Sequence, residues 1–419
     1  MPKTAASSPS PSRLARRLTT FDAVMVGLGA MLGAGIFVVI APAVEAAGSG
    51  VLLALFVAAA VAYCNAVSSA RLAAVHPESG GTYVYGRRCL GAFWGYLAGW
   101  AFLVGKVASC AAMALTFASY VAPEWARPAA VGAVLALTAI NCLGIKKSAL
   151  LTRLIVFGVL AALLVVMVAV LGGGQADLSR LAPTGEWQPG GVLQAAGLWF
   201  FAFAGYARLA TLGEEVVDPE RTIPRAIPLA LGITLLLYLA ITLCVLLAVD
   251  ATLLSQAEAP LVVAVEAGTL YAWSPVVRLG ASVASLGVLL SLILGVSRTL
   301  FAMAVQRDMP ALFASVHPRY QVPHRAELAV GALVALVIGV ADLRAAIGFS
   351  AFTILFYYAV TNVAALRLRH RASTVTAWAG LAGCGVLALS LPLESVLGGL
   401  VVLLAGALAF VWRHRPGRL

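Results

Sequence analysis

Long apolar runs, each about as long as a bilayer is thick, constrain this chain more than any other feature of its sequence. A helix needs roughly 20 apolar residues to cross the hydrocarbon layer. Twelve segments of the sequence qualify, near 20–47, 50–72, 90–122, 128–145, 150–172, 191–217, 226–249, 275–305, 326–341, 345–366, 375–391 and 394–412. Only 11% of the residues are charged, against about 25% in a typical soluble domain. We therefore predict an all-α integral membrane protein with twelve transmembrane helices.

The distribution of lysine and arginine predicts the orientation of these helices, because positively charged flanks stay in the cytoplasm. With twelve crossings, 22 of the 28 lysines and arginines lie on the side that carries both termini, and four lie on the other side. Both termini are therefore predicted to be cytoplasmic, with the chain in the plasma membrane. Residues 1–19, rich in serine and proline, are predicted to form a disordered cytoplasmic tail, and residues 413–419 a second tail. The net charge of +11 is spread over short loops, so it indicates topology and not a nucleic-acid partner.

The sequence contains no pattern that indicates a metal site, a cofactor or an enzyme. The six cysteines are scattered singly, without a C-x-x-C pair, and the five histidines fall in polar segments between the apolar runs. A membrane-embedded enzyme would need a motif such as H-E-x-x-H, or a paired serine and histidine, at membrane depth. A channel would need a continuous polar lining along its pore. The expected partners are therefore the lipid bilayer and a small solute.

Two of the predicted helices carry residues that interrupt a helix. The first helix has four glycines between Gly27 and Phe37, and the sixth has Gly205 at mid-depth with Arg208 just beyond it. Glycine costs about 1 kcal/mol per residue in a helix interior because it lacks a Cβ and leaves the backbone free. We therefore predict that helices 1 and 6 are broken. The alternative is that the small residues only let neighbouring helices pack closely.

Paired interruptions in two inverted halves point to the binding site of a secondary transporter. Residues 20–172 and 191–366 are predicted to form such halves, two five-helix repeats of opposite topology, and residues 375–412 add helices 11 and 12. An unwound turn leaves N–H and C=O groups that lipid cannot satisfy but a small zwitterion can. Helix N-termini suit a carboxylate and exposed carbonyls suit an ammonium group. The predicted ligand is an α-amino acid.

Four stretches of the sequence carry a family resemblance. They are Gly33–Phe37, Pro77–Tyr85, the segment from Gly205 to Arg225, and Ser297–Met303. In their order, spacing and topological side, they resemble the amino acid–polyamine–organocation superfamily of permeases, which has the leucine-transporter-like fold. The resemblance implies a secondary active transporter of amino acids that works by alternating access.

The resemblance also implies roles for individual residues. The substrate carboxylate would rest on the backbone amides of Gly33, Ala34 and Gly35. The ammonium group would meet carbonyls of Met31, Phe201 and Ala204, and Phe201 would also form an aromatic gate. The predicted substrate site as a whole is Met31, Gly33, Ala34, Gly35, Phe201, Phe203, Ala204 and Gly205. The loops with Pro77–Tyr85 and Glu214–Arg225 resemble the inner gate of the family.

Lys106 is the main departure from the family. Several sodium-independent members have a lysine in helix 5 where sodium-coupled relatives bind sodium, and the matching position here is Val159. Lys106 lies in helix 3, 18 residues from both Arg88 and Glu124 and so near mid-bilayer. A charged lysine there costs about 2.5–3.5 kcal/mol. We expect it to act in coupling, either as a fixed cation or as a group that takes up a proton; the alternative is a structural lysine that reaches a hydrated vestibule.

Arg208 is the second departure, since many relatives have neutral or acidic residues nearby. Glu215 lies seven residues further along the same helical face, and Asp22 begins helix 1 on the same side of the membrane. We expect Arg208 to pair with one of these acids as a cytoplasmic gate. The alternatives are a side chain that reaches solvent and direct recognition of substrate.

The positions of the 17 acidic residues bear on the substrate, because none lies in the middle of a span. A buried substrate cation without a countercharge would be costly, so cationic side chains are disfavoured and neutral amino acids are expected. An acidic substrate stays open, since Lys106 or Arg208 could receive a carboxylate. The expected transporter is sodium-independent and either coupled to protons or an exchanger. The alternatives are an exporter of neutral amino acids and a sensor that binds them without transport.

Overall fold

The computed structural model describes residues 18–76, 80–144, 149–182, 188–210, 216–368 and 371–414. Within these residues the regular structure is helical, apart from one isolated parallel bridge between Leu18 and Val216. In chain order the helices are α1 (Thr20–Met31), α2 (Ala34–Val38), α3 (Ile40–Ala47), α4 (Val51–Val75), α5 (Thr82–Leu90), α6 (Ala92–Val121), α7 (Ala126–Cys142), α8 (Ala149–Gly172), α9 (Pro189–Phe203), α10 (Ala207–Ala210), α11 (Pro219–Ala248), α12 (Ala251–Gln256), α13 (Pro260–Glu266), α14 (Ser274–Val305), α15 (His324–Val340), α16 (Leu343–Leu366), α17 (Arg371–Ser390) and α18 (Leu393–Arg413).

The helices show that this is a multi-pass membrane protein. Nine helical segments in the described part of the chain are long and apolar enough to cross a membrane. Their outer faces expose large apolar side chains, such as Leu164, Leu404 and Leu408. An apolar outer surface of this extent would be unfavourable in water, whereas lipid is an equally apolar solvent.

Helix α6 lies at the centre of the bundle and is buried along most of its length. It packs against α14 on one side and α16 on another, and close approach requires small residues at both seams. A Cβ at Gly105 would overlap Thr353 of α16, and one at Gly99 would lie 2.9 Å from the Met303 sulfur of α14. The first helix, α1, packs between α8 and α11, and α9 packs on α4 and α3.

The start of α1 corrects the predicted boundary of the N-terminal tail. Thr19 and Asp22 form a capping box, in which the Asp22 carboxylate accepts from Thr19 N at 3.0 Å and Asp22 N donates to the Thr19 hydroxyl at 3.3 Å. The Val217 amide donates to Leu18 O at 2.9 Å. Leu18 and Thr19 therefore belong to the folded protein and not to a tail that extends to residue 19. At the other end, Arg413 is still the last residue of α18 and not the first of a tail.

Two further boundaries differ from the sequence prediction. The seventh helix begins at Pro219, seven residues before the predicted start at 226, and includes Pro224 and Pro228. Pro219 is tolerated in the first helical turn, because the N–H that it lacks has no partner there, whereas Pro224 and Pro228 lie inside the helix, where each removes one backbone hydrogen bond. The sixth helix does not continue to 217, since the segment Val216–Val217 pairs with Leu18 instead. The short helices α5, α12 and α13 lie in loops for which no helix was predicted.

Candidate functional site

The first helix is interrupted where the glycines predict it. Helix α1 ends at Met31, and α2 begins at Ala34 after Gly33 takes an extended ψ of −149°. The first-turn N–H groups of a helix have no partner within the helix, and no side chain caps this one. The backbone of Gly33, Ala34 and Gly35 therefore lies at a free helix N-terminus.

The sixth helix is interrupted at the matching place. Helix α9 ends at Phe203, residues Ala204–Tyr206 form a tight 3-10 turn, and α10 resumes at Ala207. The turn includes Gly205, which the sequence placed at the centre of the break. Both predicted interruptions are thus confirmed by the course of the backbone.

The two interruptions pack directly against each other. A Cβ at Gly205 would overlap the Ala30 carbonyl at the end of α1, and it would lie 2.7 Å from the Met31 amide nitrogen. A Cβ at Gly35 would lie 2.8 Å from the Ala202 Cα. These glycines consequently do two things, since they end the helices and also let the two backbones approach closely.

Tyr238 of α11 joins the two interruptions, and sequence reasoning missed it. Its buried hydroxyl lies 2.6 Å from Met31 O and 3.2 Å from Ala202 O, so its single O–H is shared between two broken helices. Its ring packs on Phe203 and Trp199, at centroid distances of 5.2 and 5.7 Å. The sequence feature that could have identified Tyr238 is its position as a single tyrosine in the middle of a leucine-rich run.

The residues predicted to contact the ammonium group, Met31, Phe201 and Ala204, lie at the ends of the interrupted helical segments. Met31 O already accepts from Tyr238, although a carbonyl oxygen can accept two hydrogen bonds. Ala204 forms the first residue of the 3-10 turn. Phe203 is fully buried against Tyr238, whereas Phe201 retains 8% exposure. Phe201 is therefore the more accessible aromatic ring of the two.

Lys106 is buried in α6, with 8% of its surface exposed. It forms no ion pair with any residue that the structure describes. Gly99 precedes it by seven residues, two helical turns, and contacts α14, so Lys106 lies on the α14 side of α6. Ser109 follows Lys106 by three residues, about one turn of α6. Its hydroxyl lies 2.6 Å from that of Ser350 in α16. The Lys106 side chain is therefore buried where α6 packs against α14 and α16.

The predicted pairing of Arg208 with Glu215 or Asp22 stays a prediction. Asp22 forms an ion pair with Arg153 of α8. Arg208 is exposed, and Glu215, the other proposed partner, lies outside the described residues. Val159, at the position of the family lysine, is buried in α8. The ion pair therefore holds α1 to α8.

A second charged cluster joins α5 to the segment after α14 and was not predicted. The buried Asp308 carboxylate accepts hydrogen bonds of 2.7 Å from the Tyr83 hydroxyl and from the Arg87 guanidinium. Burial and the adjacent carboxylate raise the pKa of Tyr83 well above its usual range, so its hydroxyl stays a donor at physiological pH. In the same place, Arg413 donates to Met309 O at 2.8 Å. The cluster therefore joins α5, the segment after α14 and the end of α18.

Among the residues that the structure describes, no group of three or more histidines, cysteines or acids could hold a metal ion. The predicted site instead consists mainly of backbone groups at two helix breaks.

Comparison with known proteins places this arrangement in context. The sequence profile of the amino acid permease family matches residues 22–413. An uncharacterized transporter of Mycobacterium tuberculosis (strain ATCC 25618 / H37Rv) is 58% identical over 403 residues, which cover 96% of this chain and 92% of the relative. Cationic amino acid transporter 4 of Homo sapiens is 28% identical over 393 residues, covering 86% of this chain and 61% of the relative. A branched-chain amino acid permease of Bacillus subtilis (strain 168) is 26% identical over 349 residues, covering 77% and 74%.

Proposed function

Because the chain belongs to the amino acid permease family, whose members are transporters and not enzymes, we propose that it carries neutral amino acids across the plasma membrane by alternating access. The observation that carries this proposal is the Tyr238 hydroxyl, which joins Met31 O to Ala202 O. Through this hydroxyl and the contact of Gly205 with Ala30, two interrupted helices meet at one place. A solute bound there touches both helices that the transport cycle moves.

The backbone at the breaks suits the two charged groups of an amino acid. The amides of Gly33, Ala34 and Gly35 receive the carboxylate at the N-terminal end of α2, where the partial positive charge of the helix lies. Carbonyls of Met31, Phe201 and Ala204 receive the ammonium group, with Phe203 and Gly205 completing the site and Phe201 acting as a gate.

The placement of the acids supports a neutral side chain. Three described carboxyl groups are buried, namely those of Asp22, Asp308 and Glu327. Asp22 precedes Met31 by nine residues, about 13 Å along the helix, and Asp308 lies beyond the end of α14. Glu327 is in the first turn of α15. Relatives are named for both cationic and branched-chain amino acids, and a cationic side chain would need an acid near the breaks.

The proposed coupling is sodium-independent and uses protons or exchange, with Lys106 as the fixed or titrating cation. Its burial without a paired carboxylate in the described residues supports this role. Uptake into proteoliposomes would be measured across a pH series for Lys106→Ala and Lys106→Arg. An unchanged pH dependence in both variants contradicts a coupling role for Lys106.

The proposed topology has twelve spans and two cytoplasmic termini. To the nine apolar segments it adds α15, α17, and the sixth span formed by α9 with its continuation through α10. Residues 20–172 and 191–366 form the inverted repeats, and residues 375–412 form the two additional helices. On this topology Asp22 with Arg153, and Asp308 with Tyr83, lie on the cytoplasmic side, where Arg208 and Glu215 are also placed as gating residues.

The proposal is tested by thermal unfolding of the purified protein with each of the twenty amino acids. A ligand that binds only the folded state raises its apparent stability, by about 2.7 kcal/mol at 100 times the dissociation constant. We expect neutral amino acids to stabilise the protein and to exchange in a counterflow assay. Binding without counterflow would identify a sensor, and stabilisation by lysine or arginine alone would overturn the neutral substrate class.

A further inference from the structure

One buried carboxyl group has no part in the proposed substrate site. Glu327 lies in the first turn of α15 and has 0% of its surface exposed. Neither of its carboxyl oxygens has a hydrogen-bond partner among the described residues. A buried carboxyl group in this condition needs a chemical explanation, because buried polar groups are nearly always paired.

The two polar side chains beside Glu327 donate to backbone carbonyls and not to its carboxyl oxygens. Ser297 of α14 and Asn141 of α7 lie next to its carboxyl group. However, the Ser297 hydroxyl donates to Leu294 O at 3.0 Å, and the Asn141 amide donates to Leu290 O at 3.3 Å. The second N–H of the Asn141 amide is not within hydrogen-bonding geometry of Glu327, and the oxygens of Ser297 and Asn141 are acceptors for a carboxylic acid proton. A neutral carboxylic acid fits such surroundings because its O–H is a donor, whereas an ionised carboxylate only accepts.

Few charges face Glu327 from the packed elements. Helix α14 presents Arg298, which is exposed and therefore screened by solvent. Helix α7 presents the thiol of Cys142. In the described structure, α6 and the turn Ala311–Ala314, which also pack against α15, present no charged group to it. Burying an ionised carboxylate with so little compensation is far less favourable than burying the neutral acid.

The seam around Glu327 is too tight for a metal ion. One turn further along α15, a Cβ at Gly331 would lie 2.5 Å from the hydroxyl oxygen of Thr138 in α7. Thr138 precedes Asn141 by three residues on the same face, so α7 and α15 are in close contact on both turns. A proton needs no cavity and no additional ligands.

We propose that Glu327 is a proton-binding site between α7, α14 and α15, and that it holds a proton in the conformation described. The site lies where α7 ends and α15 begins, beside Ser297 of α14, which precedes the end of α14 by eight residues. When these ends separate and water enters, the carboxyl group gains donors and releases its proton. Its use in transport rests on the proposed function, since a proton bound in one conformation and released in another links proton flow to the cycle.

The protonation itself is tested by infrared spectroscopy of the full-length protein across a pH series. A neutral carboxylic acid has a C=O stretching band that an ionised carboxylate lacks. We expect this band at neutral pH in the native protein, its loss in Glu327→Gln, and its retention in Glu394→Gln, a control in the first turn of α18 that is exposed. Absence of the band, or its persistence in Glu327→Gln, overturns the proposal. If Glu327→Gln does not fold, Glu327→Asp serves instead and is expected to shift the band.

The link to transport is tested with the same variants in proteoliposomes. Glutamine mimics the permanently protonated acid, so Glu327→Gln is expected to keep substrate counterflow and to lose the uptake that a pH gradient drives. Glu394→Gln is expected to keep both. Undiminished gradient-driven uptake in Glu327→Gln overturns the coupling role. If the native protein transports no amino acid, the proposed function fails, and the infrared result still decides whether Glu327 binds a proton.

Discussion

Tyr238 shows how much one side chain contributes at the residue scale. Its hydroxyl lies within hydrogen-bonding distance of carbonyls from two broken helices, and its ring is fully buried. Lipid and apolar side chains cannot satisfy carbonyls that a helix break leaves without partners. The hydroxyl of Tyr238 therefore stabilises both breaks and fixes their separation.

Replacing Tyr238 with phenylalanine tests this role. The variant loses a hydrogen bond worth about 1 kcal/mol, so we expect the apparent substrate affinity in counterflow to fall by roughly fivefold while the protein still folds. The matched control is Tyr63→Phe, which removes the hydroxyl of an exposed tyrosine in α4. Equal affinities in the two variants would show that Tyr238 does not organise the site.

Gly205 supports a second prediction about a single residue. An alanine Cβ would overlap the Ala30 carbonyl, and overpacking of this kind costs about 1–3 kcal/mol. We expect Gly205→Ala to lower the thermal unfolding temperature and to abolish uptake. Gly232 of α11 is the control, because an added Cβ there has no atom within 4 Å and should be neutral or stabilising. Normal uptake by Gly205→Ala would mean that the two breaks are further apart than described.

At the scale of elements, the N-terminal half of the first helix behaves as a separate unit. It is capped by Thr19, held to α8 through Asp22 and Arg153, and linked to Val217 through Leu18 O. Because α1 ends at Met31, a movement of this half need not be transmitted to α2. Its contacts are thus suited to a gate that opens without disturbing the rest of the bundle.

The ion pair of Asp22 with Arg153 provides the test of this gate. Arg153 is 40% exposed, so the pair contributes at most about 1 kcal/mol. We expect Arg153→Met to raise the labelling rate of a cysteine introduced at Gly29, whose Cβ would face Val156 of α8, by about fivefold, because α1 spends more time detached from α8. Arg153→Lys keeps the charge and should label at the native rate. Equal rates in both variants would show that the pair does not hold the gate.

At the scale of the whole molecule, the positive charges determine how the bundle is inserted. The bias of 22 lysines and arginines against four assigns Gly144 to the cytoplasm and Gln175 to the outside. A reporter active only in the cytoplasm is expected to work when fused after Gly144 and to fail after Gln175. A reporter fused after His414 is expected to work, like the reporter fused after Gly144. The reverse result at either internal site would contradict the twelve-span topology.

The sequence alone determined the solvent of this protein, its helical class, its family and the two helix breaks. The solvent, the helical class and the breaks follow from composition and local backbone chemistry, since apolar length specifies a span and clustered glycine interrupts a helix. The family follows from the resemblance carried by four stretches of the sequence. Tertiary structure decided which partners each polar group meets. Asp22 pairs with Arg153, Tyr238 joins both breaks, and the buried carboxyl oxygens of Glu327 accept no hydrogen bond from the described residues. Residues more than 100 positions apart meet only after the helices pack, and no local pattern encodes the rotation of one helix against another.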